Sequence, residues 1–262
     1  MNGWSAFVLG SGIVFTMFFF AWLWAEKVKN YSLVDVIWAF GIGLISCSWV
    51  LLIGDLSLKH LVIAALVSAW SLRLGTHLER RIRRVHPVED ARYTKLRKVW
   101  IERVSYAFFW FFQVQGISVI LLSIPFLLIA LDQDSSWSLW ETSGLLITLI
   151  GIFGEGMADS QMSRFKSKNH DSAAVCRKGL WRYSRHPNYF FEAIIWIGFY
   201  IYACGSDWGW LAIYAPAIII YLLLRVTGIP PTEAAAVLRK GDAYRRYQAT
   251  TSSFIPWPPK DN

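Results

Sequence analysis

Between Tyr106 and Leu131 the chain runs for 26 residues without one charged side chain, YAFFWFFQVQGISVILLSIPFLLIAL. About 20 mostly apolar residues suffice to cross a bilayer as a helix. In hydrocarbon every backbone polar group must find its partner within the protein, so a run of this kind has few options besides a helix. Six further runs have the same character, at about 4–25, 33–53, 61–79, 139–159, 189–204 and 209–226. Charged residues make up only 17% of the chain, against roughly 25% in soluble domains. The reading is all-α: one polytopic integral membrane domain over 1–262, with seven transmembrane helices and no internal repeat. The first run lacks a basic leader and a small-residue cleavage site, so it is expected to be a retained span rather than a signal peptide.

The charges between the runs alternate. Arg80 to Arg103 holds nine Lys and Arg, Arg164 to Arg185 seven, and the tail from Arg225 six, while the intervening loops are acidic or near neutral, as at Asp55 with Lys59. The positive-inside rule then puts the N-terminus outside and the C-terminus in the cytoplasm. The basic segments 80–106, 160–188 and 227–262 would cap a cofactor site on the cytoplasmic face of a bacterial inner membrane or the endoplasmic reticulum. The net charge of +8 fits anionic membrane lipid as partner and not nucleic acid. Cys47, Cys176 and Cys204 are odd in number and lack CxxC spacing, which supports neither a disulfide framework nor a metal site. No GxxxG patch stands out, so a monomer is expected.

Ionisable residues within spans are costly and tend to face an interior cavity. Here they are Asp35, Arg73, Glu155, Asp159 and Glu192, with His77 one turn beyond Arg73 on the same face. Mutual pairing that only holds helices together, as of Asp35 with Arg73, is the plain alternative. Glu155 and Asp159 share a helix face just before Arg164, Lys166 and Lys168, a pattern suited to the hydroxyl and phosphate ends of a nucleotide. The stretch GLWRYSRHPNYFFEAIIWIGFY, from Gly179 to Tyr200, carries more. Arg182 and Arg185 suit phosphate. Tyr183 and Tyr189 suit a ring, and Asn188 suits a carboxamide or ribose. Pro187 suits the first turn of a helix, and Glu192 falls one turn past Asn188. In the tail, Pro230 and Pro231 are expected to end the last span and Thr232 to cap a short helix over Glu233–Lys240. Tyr244 and Tyr247 are expected to pack back on the cap, with Arg239, Arg245 and Arg246 near a phosphate.

With these pieces the chain resembles the steroid 5α-reductase family, in its bacterial DUF1295-type branch. The resemblance rests on SLVDVIWAFG at 32–41, WSLRLGTHLERR at 70–81, EDARY at 89–93, ADSQMSRF at 158–165, GLWRYSRHPNYFFE at 179–192 and the tail from Glu233 to Pro256. It implies a seven-span fold that binds NADPH and reduces a carbon–carbon double bond conjugated to a ketone. The expected substrate is a small apolar sterol-like enone from the bilayer, a 3-oxo-Δ4-steroid above all. It implies cofactor-binding roles for Asp159, Arg164, Lys166, Arg182, Tyr183, Arg185, His186, Asn188 and Glu192, then for Arg239, Tyr244 and Tyr247; Arg73 and Glu155 join them as the neighbouring intramembrane charges. Asp35 stands where the animal enzymes carry a ketone-binding glutamate, and a protonated Asp35 would donate to the ketone. Trp70 stands where they carry a tyrosine, a departure, since an indole does not readily give up its proton. The catalytic candidates are therefore Asp35, Trp70 and His77. The stretch RHPNYFFEAIIWIG with a later Glu233 also resembles membrane methyltransferases of the isoprenylcysteine and phospholipid type, which bind S-adenosylmethionine. A non-enzymatic transporter or scaffold is the third class.

Overall fold

The computed structural model describes residues 2–134, 136–169, 171 and 173–260. Among these residues the regular structure is entirely helical, with no named strand. The chain divides into two compact units, Met1–Glu141 with Ala203–Ala212, and Thr142–Tyr202 with Ile213–Asn262.

The first unit holds α1 (Gly3–Val28), α2 (Leu33–Ile53), α3 (Leu58–Val85), the short α4 (Ala91–Val99) and α5 (Val104–Leu131). The second holds most of α6 (Leu139–Lys168) and of α7 (Pro187–Ala203), then α8 (Tyr214–Tyr221), α9 (Ile229–Lys240) and α10 (Asp242–Thr250). Five helical segments among the described residues are long and apolar enough to cross a membrane: α1, α2, α3, α5 and the stretch Gly209–Lys240. This is the architecture of a polytopic membrane protein. The expected run at 139–159 is the apolar part of a 30-residue helix that continues into charged sequence, and the run at 189–204 is a 17-residue helix.

Three local differences from the sequence reading have physical causes. Helix α3 outlasts the apolar run at 61–79 and carries Arg83 and Arg84 in its last turn, where cations favour the helix dipole. Lys59 does not sit in a loop. It lies in the first turn of α3 with no exposed surface, its Nζ 2.5 Å from Asp132 Oδ2, 3.4 Å from Glu141 Oε1 and 2.9 Å from the Gly205 carbonyl. Buried charge survives in such a place only when paired and hydrogen-bonded. Finally, Pro230 and Pro231 do not precede a cap at Thr232; they occupy the first turn of α9, where a missing N–H costs no helical bond. The break lies earlier. Thr227 N and Gly228 N both reach back to the Leu222 carbonyl, at 2.8 and 3.3 Å. A Cβ on Gly228 would come within 2.4 Å of the Leu223 carbonyl oxygen, so only glycine fits.

The first unit is packed with aromatic and branched side chains; Phe18, Ile42, Ile45, Trp70, Phe108 and Phe112 are fully or almost fully buried. Helices α2 and α3 approach closely at Gly43, where a Cβ would sit 2.2 Å from Ser71 Oγ. Small residues at such crossings bring helix backbones together in membranes. Ser71 Oγ in turn donates to the Ala39 carbonyl at 2.9 Å.

Candidate functional site

In the second unit, one carboxylate organises the RYSRHPNY stretch and the tail. Glu233, in the first turns of α9, accepts from Arg185 Nε at 2.6 Å and from Gln248 Nε2 at 2.8 Å, and His186 Nε2 lies 3.2 Å away. Arg185 Nη1 donates to the carbonyls of Gln248 and Thr251. Its backbone N–H donates to the Ser252 carbonyl at 2.8 Å, Ser184 Oγ to the Phe254 carbonyl at 2.8 Å, and Trp257 N–H to the Tyr183 carbonyl at 2.9 Å. The tail is thereby laced along residues 183–185. Pro187 opens α7 as expected, and Ser184 Oγ accepts from the His186 N–H just ahead of it, at 3.1 Å.

Tyr244 and Tyr247 bury their rings with Ala236. The Tyr247 hydroxyl donates to the carbonyls of Trp181 and Ser184, and the Arg177 guanidinium lies 5.5 Å from its ring. Burial, with Glu233 nearby, pushes the Tyr244 hydroxyl up to about 12; burial also raises Tyr247. Both therefore remain protonated donors at neutral pH.

Other members of the expected set face outward or inward with different duties. Arg182 is exposed, with its guanidinium 6.0 Å from the ring of Tyr183, which is also exposed. Arg164, Lys166 and Arg239 are exposed; Asp159 is half-buried and Glu155 buried. Glu192 is buried and accepts from Trp196 Nε1 at 2.9 Å. Tyr189 stacks on His186 with centroids 5.2 Å apart, and its hydroxyl is 3.2 Å from Thr232 Oγ1. Asn188 Oδ1 is buried and has no hydrogen-bond partner among the described residues. A buried acceptor left bare costs about 1–3 kcal/mol. A carboxamide NH2 or a ribose hydroxyl would satisfy it, and the exposed arginines suit phosphates. This donor and acceptor set fits a dinucleotide such as NADPH.

In the first unit, Asp35 stands in the first turn of α2. Its Oδ2 accepts from Arg92 Nη2 at 2.7 Å and its Oδ1 from the Tyr93 hydroxyl at 2.6 Å. Both donors come from α4, in the EDARY motif. Arg73, its partner in the plain alternative, lies half-buried on α3 with His77 a turn further on, and Asp35 instead joins α4. Asp90 caps α4 by accepting from Arg92 N–H at 3.0 Å and is bound by Arg81 Nη2 at 2.7 Å. Glu89 accepts from Tyr31 N–H at 2.8 Å and from Arg97. Burial and Asp35 push the Tyr93 hydroxyl well up, and Arg92 is held firmly protonated by Asp35 and Asp90 against burial. Trp70 is wholly buried, edge-to-face with Trp38 at 6.2 Å. Tyr93 joins this site through the fold alone. EDARY stands out in the sequence, but the contact of its tyrosine with Asp35, 58 positions away, has no signature in spacing.

Fold and site together define a helical, polytopic membrane protein with clamped carboxylates and a bare buried amide oxygen. The family model described as "Protein of unknown function (DUF1295)" matches residues 21–251, and the chain belongs to that family. An uncharacterized protein of Schizosaccharomyces pombe is 26% identical over 269 aligned positions, covering 89% of this chain and 75% of the yeast protein. The plant protein Steroid 5-alpha-reductase DET2 of Arabidopsis thaliana is 28% identical over 82 positions, covering 31% of this chain and 30% of the plant protein. No solved structure matches.

Proposed function

We propose that the chain is an NADPH-dependent membrane reductase of a carbon–carbon double bond conjugated to a carbonyl, acting on an apolar, sterol-like enone such as a 3-oxo-Δ4-steroid. The observation that carries this reading is the partial likeness to a plant steroid 5α-reductase within a match to the family model over most of the chain. The bare Asn188 Oδ1 supports it from the structure. In this reading α6 and α7 complete seven crossings, with the N-terminus outside and the basic loops in the cytoplasm.

NADPH, when bound, supplies the hydride. Asn188 Oδ1 would accept from its carboxamide or ribose, and Arg182, Arg164, Lys166 and Arg239 would offer cations to its phosphates. Arg185, His186 and Tyr247 act at one remove, by fixing the backbone from which Arg182 and Asn188 project. Reduction of an enone places negative charge on the carbonyl oxygen, which needs a hydrogen-bond donor. The Tyr93 hydroxyl, whose single proton is donated to Asp35 Oδ1, is the proposed donor once it turns from Asp35 to that oxygen; it would supply the tyrosine function that Trp70 lacks.

Thermal unfolding of the detergent-purified protein with NADPH, NADH or S-adenosylmethionine tests the reading, because a ligand that binds only the folded state raises apparent stability. NADPH is expected to raise the midpoint, S-adenosylmethionine to leave it in place, and oxidation of NADPH to follow addition of a 3-oxo-Δ4-steroid. Stabilisation by S-adenosylmethionine alone would overturn the proposal.

A further inference from the structure

A second polar–apolar site lies in the first unit, around the C-terminal end of α1. A cavity of about 380 Å³ is walled by Trp24, Val28, Leu33 and Ile82 and edged by Asn30, Arg83 and His86. Asn30 is 1% exposed, and its Oδ1 accepts from the Ser32 N–H at 3.0 Å. Its Nδ2, a donor, is buried with no partner among the described residues. A buried donor of this kind at a largely apolar cavity calls for a carbonyl acceptor that arrives with an apolar body.

The surroundings specify the rest of the ligand. Trp24 is 58% exposed on α1, and Phe20 one turn earlier is 61% exposed; both are large apolar surfaces on a helix long enough to span a bilayer. Trp at the end of such a helix marks the level of the lipid headgroups. Lys27 sits 5.7 Å from the Trp24 ring, and Arg83, exposed, faces the cavity with one nitrogen on Glu79 at 2.6 Å. A basic rim at headgroup depth recognises anionic lipid.

We propose that this cavity binds one anionic phospholipid, with the Asn30 amide donating to an acyl-ester carbonyl, Arg83 facing the phosphate, and an acyl chain lying along Trp24 and Phe20. The site is separate from the residues assigned to cofactor and ketone, and it does not depend on that assignment.

The test is native mass spectrometry of the intact protein from micelles doped equally with phosphatidylglycerol and phosphatidylcholine. Wild type is expected to retain one phosphatidylglycerol and to prefer it at least fivefold. Asn30→Ala removes the amide donor without placing a charge in the buried site, and Arg83→Gln removes an exposed cation with its contact to Glu79. Each is expected to cut retention at least fivefold. Arg83→Gln is expected to keep the thermal midpoint in phosphatidylcholine micelles near the wild-type value, whereas Asn30→Ala, which also frees the Ser32 N–H, is expected to lower it. Equal retention by wild type and both variants, or equal retention of the two lipids, overturns the site. Displacement by millimolar inorganic phosphate would make it a site for a free anion. Displacement by a neutral 3-oxo-Δ4-steroid would make it part of substrate binding. Either of those results also overturns the lipid proposal.

Discussion

The two units each build a polar knot in which carboxylates are clamped by arginines, and the knots differ in what they leave over. In the first unit both oxygens of Asp35 are taken, by Arg92 and Tyr93, and the neighbouring Asp90 and Glu89 are likewise engaged. In the second, Glu233 is as fully engaged by Arg185, His186 and Gln248, yet beside it Asn188 keeps a bare buried acceptor and Arg182 points to solvent. A saturated carboxylate positions its neighbours, Asp35 its tyrosine and Glu233 its arginine; a residual unmet demand marks a place for a ligand. On the proposed reading, Arg185 holds the tail and Asn188 the cofactor, although both lie in one eight-residue stretch.

The sharpest break of this comparison is Glu233→Ala. The Arg185 and Glu233 side chains are only 10% and 15% exposed, and removing one partner of a buried pair costs about 3–5 kcal/mol. The variant is expected to lose thermal stability heavily and to free the tail to proteolysis near residue 251. Wild-type stability would mean that the knot is ornamental and that Arg185 is available to a ligand after all.

Next in size is Asp35→Ala. Its ion-pair partner is more exposed, with the Arg92 side chain at 35%, so the stability loss should be about 1–3 kcal/mol, as for a charged hydrogen bond. The proposed chemistry makes a second demand: turnover should fall while NADPH affinity stays unchanged. Tyr93→Phe, which keeps the ring packing, should lower turnover with a smaller loss of stability. Full turnover in Tyr93→Phe would remove that hydroxyl from the mechanism and leave the α4 knot purely structural.

Asn188→Ala reverses the pattern. Its Oδ1 is buried with no partner to lose, so the ligand-free protein is expected to keep its stability or gain up to about 1–3 kcal/mol as the bare acceptor is removed. NADPH affinity should fall about tenfold, the equivalent of about 1.4 kcal/mol. An isothermal titration showing undiminished affinity would sever the bare acceptor from the cofactor.

How far the sequence spoke follows the same divide. Apolar runs report on lipid directly, so α1, α2 and α5 could be placed within a few residues, and Pro187 announced the start of α7. The long basic extension of α3 and the burial of Lys59 could not be read, because both depend on partners remote in sequence, such as Asp132 and Gly205. At the candidate site the residue types were legible: arginines, tyrosines and an asparagine ahead of an apolar helix. Their division of labour was not, since Arg182 and Arg185 look alike until Glu233, 48 positions on from Arg185, selects one of them. Tyr93 shows the same limit, as only the fold brings EDARY to Asp35.

The smallest expected effect probes the saturated knot by pH. Burial pushes the Asp90 carboxyl up, but Arg92, through its side chain and its N–H, and Arg81 together pull it below its ordinary value. A carboxyl lowered in the folded state stabilises the fold fully above its unfolded pKa of about 4 and loses that contribution as pH falls through the folded value. Because Arg81 and Arg92 are partly exposed, at 59% and 35%, the contribution should be about 1 kcal/mol or less. Trp100 follows α4 and lies edge-to-face on Phe108 at 5.1 Å, so tryptophan fluorescence, compared with a Trp100→Phe control, reports whether α4 stays docked. Wild type should show a loosening of α4 as pH drops below about 4. Asp90→Asn keeps an N-cap acceptor but cannot titrate, so its signal should be flatter across that range. An identical acid transition in both proteins would remove Asp90 from the set of charges that hold α4 in place.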